Sequence, residues 1–294
     1  MTIKKRYMGI VYIVLSAFCF AVMNAFVRLA GDLPSVQKSF FRNFVALIFA
    51  SVILIKDRIP FKCRHKSNIP ALLIRAGLGT VGILCNFYAI DHLVLADASI
   101  LNKMSPFFVI IFSFFFLKER LTLFQGGAVL IAFIGSMFII KPSFSNVEIF
   151  PAFLGFCGGA AAGAAYTAVR YLGQNGEKNP FIVAFFSFFS CVVTLPFLIF
   201  DYHPMSSAQL LCLMGAGLAA AGGQFSITAA YTYAPAKEIS VYDYSQIIFS
   251  TLLGFILFGD IPDIYSIAGY IIIIAMAVLM FFYNNVWKKK TDIS

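Results

Sequence analysis

The sequence predicts an all-α integral membrane protein of ten transmembrane helices, arranged as two inverted five-helix repeats. Three observations predict it: a composition too apolar for a soluble domain of this size, ten apolar runs of membrane-spanning length, and a weak self-similarity at an offset of 141 to 142 residues.

Of the 294 residues, 61% are hydrophobic and 12% charged, and the mean hydropathy is +0.88. A soluble domain is roughly 45 to 50% apolar and about 25% charged, so lipid must cover the apolar surface that the chain cannot bury. The net charge of +9 does not point to nucleic acid, because Lys and Arg of membrane proteins gather in cytoplasmic loops. Five of the six cysteines (Cys19, Cys85, Cys157, Cys191, Cys212) lie in apolar segments and Cys63 in a basic loop. Free, buried thiols are expected.

The apolar runs fall near 8–30, 35–55, 70–90, 96–117, 122–140, 150–171, 180–200, 207–233, 239–258 and 264–286, each close to the length that crosses the hydrocarbon at the helical rise. Turn and helix-end signals separate them: Gly31-Asp32-Leu33-Pro34, Pro60, Pro142, Asn179-Pro180, His203-Pro204, Ala234-Pro235 and Asp260-Ile261-Pro262. The first run is longer than the apolar region of a secretory signal and has Arg28 near its end, so it is expected to be retained.

Orientation follows from the basic residues. With the N-terminus inside, sixteen Lys and Arg residues fall in inner segments, among them Lys4, Arg6, Arg58, Arg64, Lys118, Arg120, Arg170, Lys178, Lys237 and Lys288, and only Lys141 falls in an outer loop. Both termini are therefore expected in the cytoplasm of a multi-pass protein of the cell membrane. Asp32, Asp91, Asp201, Asp260 and Asp263 lie at outer ends.

A shift of 141 aligns Gly82 with Gly223, Asp97 with Glu238, Ser99 with Ser240, Asn102 with Asp243, Phe108 with Phe249 and Glu119 with Asp260; a shift of 142 aligns Val27-Arg28 with Val169-Arg170. The two units, 1–145 and 146–294, hold five spans each. An odd number makes the copies enter the membrane in opposite senses, a plan by which secondary transporters alternate access between sides.

The segment from Ser105 to Gly135 (SPFFVIIFSFFFLKERLTLFQGGAVLIAFIG) and its echo from Ser245 to Tyr270 resemble the drug/metabolite transporter superfamily, EamA type. Pro106, Glu119 and Gly126-Gly127 match its pattern; in the second copy Ile247 stands for the Pro and Asp260 holds the acidic position. The resemblance implies a cavity lined by spans 1, 3, 4, 6, 8 and 9, with spans 5 and 10 peripheral. Members carry amino acids, sugars, nucleotide sugars, phosphorylated metabolites and drugs.

Intramembrane polar residues share helix faces, as a cavity requires. Span 4 sets Asn102, Lys103, Pro106 and Ser113 at helical spacing, span 9 Ser240, Asp243, Tyr244 and Thr251, span 3 Arg75, Gly79 and Asn86, and span 8 Gly217, Gln224, Thr228 and Tyr231. Asn24 of span 1 corresponds to Tyr166 of span 6. Two readings stay open for each: cross-helix bonds worth about 0.6 kcal/mol that hold the bundle together, or contact with a solute. Ionisable residues weigh more, since each costs roughly 2.5 to 3.5 kcal/mol to insert. Lys103 is about 10 Å from the outer end of its span, Arg42 at similar depth, and Asp243 about 6 to 8 Å from the inner end. That arithmetic puts Lys103 and Asp243 toward opposite faces, with an internal salt bridge between them as the alternative. Arg28, Lys38 and Arg75 lie nearer the interfaces and read as structural, snorkelling groups. Pro106 denies a hydrogen bond to the carbonyl of Asn102, so span 4 should bend beside Lys103.

The candidate substrate-binding residues are Lys103, Arg42, Asp243, Asn102, Asn24, Asn86, Tyr166, Gln224, Tyr231 and Tyr244. His65, His92 and His203 fall in separate loops, no Cys/His set has metal spacing, and no phosphate loop of Walker type occurs. The expectation is a secondary active transporter without catalytic site, metal or cofactor. It would move a small polar or amphipathic metabolite, an amino acid-like zwitterion or organic anion, with export and coupling to a proton or ion as further expectations. The alternatives are a phosphometabolite or nucleotide-sugar exchanger and, from another class, a non-transporting sensor or membrane-embedded enzyme.

Overall fold

The computed structural model describes residues 3–92, 101–140, 149–259 and 261–284. Asp97, Ser99, Lys141, Asp260, Lys288 and the boundary drawn between residues 145 and 146 lie outside the described residues. The helices are α1 (Ile3–Leu29), α2 (Ser35–Lys56), α3 (Ile69–His92), α4 (Ser105–Leu117), α5 (Leu123–Ile140), α6 (Ile149–Gln174), α7 (Asn179–Phe200), α8 (Ser207–Tyr233), α9 (Ser245–Phe258) and α10 (Ile264–Phe282). A single turn, Ala236–Ile239, and a 3-10 segment, Ser240–Tyr244, precede α9. Eight helical stretches among the described residues are long and apolar enough to cross a membrane, α9 counted with the turns before it, and α4 and α5 are shorter apolar helices.

Local chemistry fixes the helix ends. Ser206 and Gln209 form a reciprocal capping box at the start of α8 (Gln209 N to Ser206 Oγ 3.2 Å, Ser206 N to Gln209 Oε1 2.9 Å), which satisfies backbone donors that the first turn leaves over. Asp263 caps α10 by accepting from Ser266 N at 3.0 Å. α4 and α9 end in the same left-handed conformation, at Lys118 (φ 55°) and Gly259 (φ 71°), which are equivalent positions at the 141-residue offset.

Packing obeys an exchange rule. When α1–α5 are swapped with α6–α10 in order, α1 on α8 becomes α6 on α3, α4 on α6 becomes α9 on α1, and α2 on α8 becomes α7 on α3. The pairs α2–α7 and α5–α10 map onto themselves. α5 and α10 pack on each other at one side, touching the rest mainly through Ala236–Tyr244, as the resemblance implied. Small residues permit the close crossings: a Cβ at Gly163 would strike Phe108 Cβ and come 2.9 Å from Val109 N of α4, and one at Gly217 would strike Val45 of α2 at 2.5 Å.

All six cysteines are free, as expected, but only Cys191 is buried. The others are partly open: Cys63 lies in the loop after α2, and Cys19 and Cys85 lie on helix faces that meet Gly222 of α8 and Gly158 of α6.

Candidate functional site

Spans 4 and 9 are both broken in the interior of the bundle. In span 4, Lys103 and Met104 form a turn, with Met104 N bonded to Leu101 O at 3.1 Å, and α4 starts afresh at Ser105 with Pro106 in its first turn. Pro is suited to that position because its missing N–H has no intrahelical acceptor there. The expected bend is thus a full interruption beside Lys103. The second copy lacks the Pro and breaks by passing Ser240–Tyr244 in 3-10 form.

The two breaks meet. Lys103 Nζ lies 3.1 Å from Asp243 Oδ2 and 2.7 Å from Gln246 Oε1, and both charged residues are 7% exposed. Tyr244 Oη donates to Lys103 O at 3.2 Å. This corrects the expectation that Lys103 and Asp243 lie toward opposite faces. The depth arithmetic began an ideal α-helix at residue 239; instead the chain enters at Ala236 and runs through a 3-10 segment, whose rise of about 2.0 Å per residue carries Asp243 deeper than an α-helix would. The flexible lysine stem spans what remains.

A second group adjoins the first. The rings of Tyr166 (α6) and Tyr231 (α8) stack with centroids 5.3 Å apart, and both lie within electrostatic reach of Asp243. Arg75 Nη2 donates to Gln224 Oε1 at 2.8 Å, and its guanidinium carbon sits 4.0 Å from the Phe186 ring centroid and 5.9 Å from that of Tyr166. Arg42 is 6% exposed on α2 and interacts electrostatically with Tyr166 and Arg75.

Of the ten candidates, seven therefore gather here: Lys103, Arg42, Asp243, Tyr166, Gln224, Tyr231 and Tyr244. Asn24 is exposed, and Asn86 and Asn102 are half-buried against the glycine face of α6; no hydrogen bond ties any of the three to the cluster among the described residues. Sequence reasoning missed two members. Arg75, taken as a snorkelling group, is 2% exposed and points inward; the available signal was Gly79 one turn on, where a Cβ would strike Arg75 Nη1 and approach Phe186 Cε2 to 2.8 Å. Gln246 stands three residues after Asp243, on the same helix face.

Both ends of the bundle are tied across the halves. At the end carrying the basic loops, Arg170 Nε donates to Glu119 Oε1 at 3.0 Å and Arg170 Nη1 to the carbonyls of Tyr231 and Thr232. Glu177 accepts from Cys63 Sγ (3.1 Å), Arg64 N (3.0 Å) and Asn68 Nδ2 (2.9 Å). Burial pushes the Glu177 carboxyl up, but these hydrogen bonds outweigh it and hold it below its ordinary value; burial and the neighbouring carboxylate push the Cys63 thiol up. At the other end Gln37 and the backbone of His203 exchange hydrogen bonds of 2.8 and 3.0 Å.

A duplicated helical bundle with interrupted, charge-bearing helices meeting in its interior defines a membrane transporter. The chain belongs to the EamA-like transporter family, which matches it twice, over residues 7–141 and 149–282. It is similar to the pseudopaline exporter of Pseudomonas aeruginosa (31% identical, covering 92% of this chain and 95% of the relative). Further relatives are human solute carrier family 35 member G1 (26%, covering 92% and 78%) and a riboflavin transporter of Brucella anthropi (25%, covering 89% and 94%). A solved crystal structure shares the fold, with a TM-score of 0.82 at 12% identity, covering 96% of this chain and 98% of that one.

Proposed function

We propose that this multi-pass membrane protein is a secondary active transporter of the cell membrane, with both termini in the cytoplasm, that exports an amino acid-like zwitterion or organic anion by alternating access. The observation that carries the reading is the Lys103–Asp243 pair, held where the two interrupted spans meet. A cation and a carboxylate at that point offer one partner each to a solute carboxylate and amine, and exchange of partners between pair and solute compensates the charges in both states. Tyr166 and Tyr231 would face an apolar portion, Tyr166 keeping part of its surface free deep in the bundle. Asp243 is also the group suited to carry a coupling proton. Relatives named as an exporter and as transporters of organic solutes support the class, and none of this requires a catalytic step.

A phosphometabolite or nucleotide-sugar exchanger is the second reading, favoured by two buried arginines, Arg42 and Arg75, within electrostatic reach of each other. The test is a thermal-shift screen of the purified protein against amino acids, organic acids and phosphosugars, followed by counterflow of each stabilising compound in proteoliposomes. Counterflow that depends on Lys103 supports the proposal; stabilising compounds that are never exchanged contradict it and favour a sensor.

A further inference from the structure

Arg42 and Arg75 carry charge that the protein does not neutralise. Asp243 is engaged by Lys103, which also donates to Gln246, so the cluster's three cations and one carboxylate leave two positive charges in excess. Arg42 makes no hydrogen bond among the described residues, and the Nε atoms of both arginines are buried without a partner. Arg75 has Gln224, a neutral amide, as its hydrogen-bond acceptor. A guanidinium removed from water without an acceptor is unfavourable, and a like charge within electrostatic reach adds to the cost. Such an arrangement persists where an anion from outside completes it.

The surroundings prepare Arg75 for that role. Phe186 lies against one face of its guanidinium, Gln224 fixes one edge, and Gly79 leaves the room that Nη1 occupies. Orientation of a planar donor fork before the ligand arrives is what recognition of a planar or tetrahedral oxyanion needs. The two arginines come from α2 and α3 of the first half, whereas Gln224, Phe186 and Tyr166 come from α8, α7 and α6 of the second. An anion held there would therefore bridge the halves whose relative movement is the transport step.

We propose that Arg42 and Arg75 together form an oxyanion subsite that takes a carboxylate or phosphate group of the transported solute, so that the solute is anionic overall. The proposal rests on the reading of the interior cluster as the solute site. The test uses the full-length protein in detergent, with glutarate and inorganic phosphate as probes and chloride and neutral glutaramide at matched ionic strength as controls. At least one oxyanion should raise the melting temperature while the controls do not, and the one that does so identifies the group as carboxylate or phosphate. Arg42→Gln, and Arg75→Lys, which keeps the charge but loses the fork, should each weaken that stabilisation at least tenfold in probe concentration. Without probe, Arg42→Gln should melt no lower than the parent, because a buried cation without a partner is removed. No stabilisation by either oxyanion, stabilisation undiminished in both variants, or a lower melting point of probe-free Arg42→Gln overturns the subsite. An oxyanion that binds through the arginines but is not exchanged by proteoliposomes leaves the subsite standing and contradicts the transport reading. Lys103-dependent transport with oxyanion binding indifferent to the arginines does the reverse.

Discussion

Arg170 and Glu119 join the two halves of the bundle by a hydrogen-bonded ion pair of 3.0 Å whose side chains are each 12% exposed. The pair ties the chain just beyond α4 to α6, and Arg170 extends it to the last carbonyls of α8. In the sequence their positions correspond at the repeat offsets to Asp260 and Arg28, so an acidic and a basic residue recur in the other copy.

Glu119→Gln should loosen the basic end. Loss of a charged acceptor costs about 2 kcal/mol, and that cost falls on the state in which this end is closed. In a background without native cysteines, Asn102→Cys should become more reactive toward a polar maleimide added from the side of the basic loops. Unchanged labelling would show that Glu119 does not hold the closure.

The Glu177 cluster supplies a pH-dependent counterpart. A carboxyl held below its ordinary value stabilises the contact between the loops on either side of it at pH above the unfolded-state value; that contribution fades as pH falls through the lowered folded value. Cys63 reports on it. Its raised pKa keeps it mostly thiol near neutral pH, and Glu177→Gln, which removes the neighbouring charge, should speed its alkylation at pH 8. An equal or slower rate would contradict the assigned contact.

Lys118 ends α4 in a conformation that costs an L-residue about 1 to 2 kcal/mol, whereas Gly259 ends α9 there without that penalty. Lys118→Gly should therefore raise the melting temperature, with a gain of about 1 kcal/mol. A loss would mean that the Lys118 side chain contributes more than its backbone strain removes.

The ten spans were legible because lipid imposes length and polarity on every one of them. α8 runs over 207–233 as read, since Ser206 with Gln209 marks its start and Ala234-Pro235 its end. The interior was less legible. Depth computed along an ideal helix fails where the helix stops, and nothing in the letters from Ser240 to Tyr244 announces a 3-10 segment. The same arithmetic sent Arg75 to the interface, although the space over Gly79 lets its guanidinium turn inward. Composition of the site was readable from charge in the membrane; the partners of those charges depended on backbone that departs from the regular period.

Topology is open to a direct check. Reporter fusions in the loop of residues 57–66 should report the cytoplasmic side, and a fusion between His203 and Ser206 the external side. The reverse pattern would contradict the proposed orientation, with both termini in the cytoplasm.

The central claim is that Lys103 and Asp243 serve the solute as well as each other, and a double-mutant cycle read for both stability and transport tests it most directly. Lys103→Met and Asp243→Asn singly leave a buried charge without its partner and should each lower stability by about 3 kcal/mol, whereas the double variant should recover most of that loss through a coupling energy of about 2 kcal/mol or more. The account predicts that the stable double variant does not transport, because no internal repair replaces a missing solute contact. A double variant that regains both stability and transport would contradict it and make the pair a structural ion bridge.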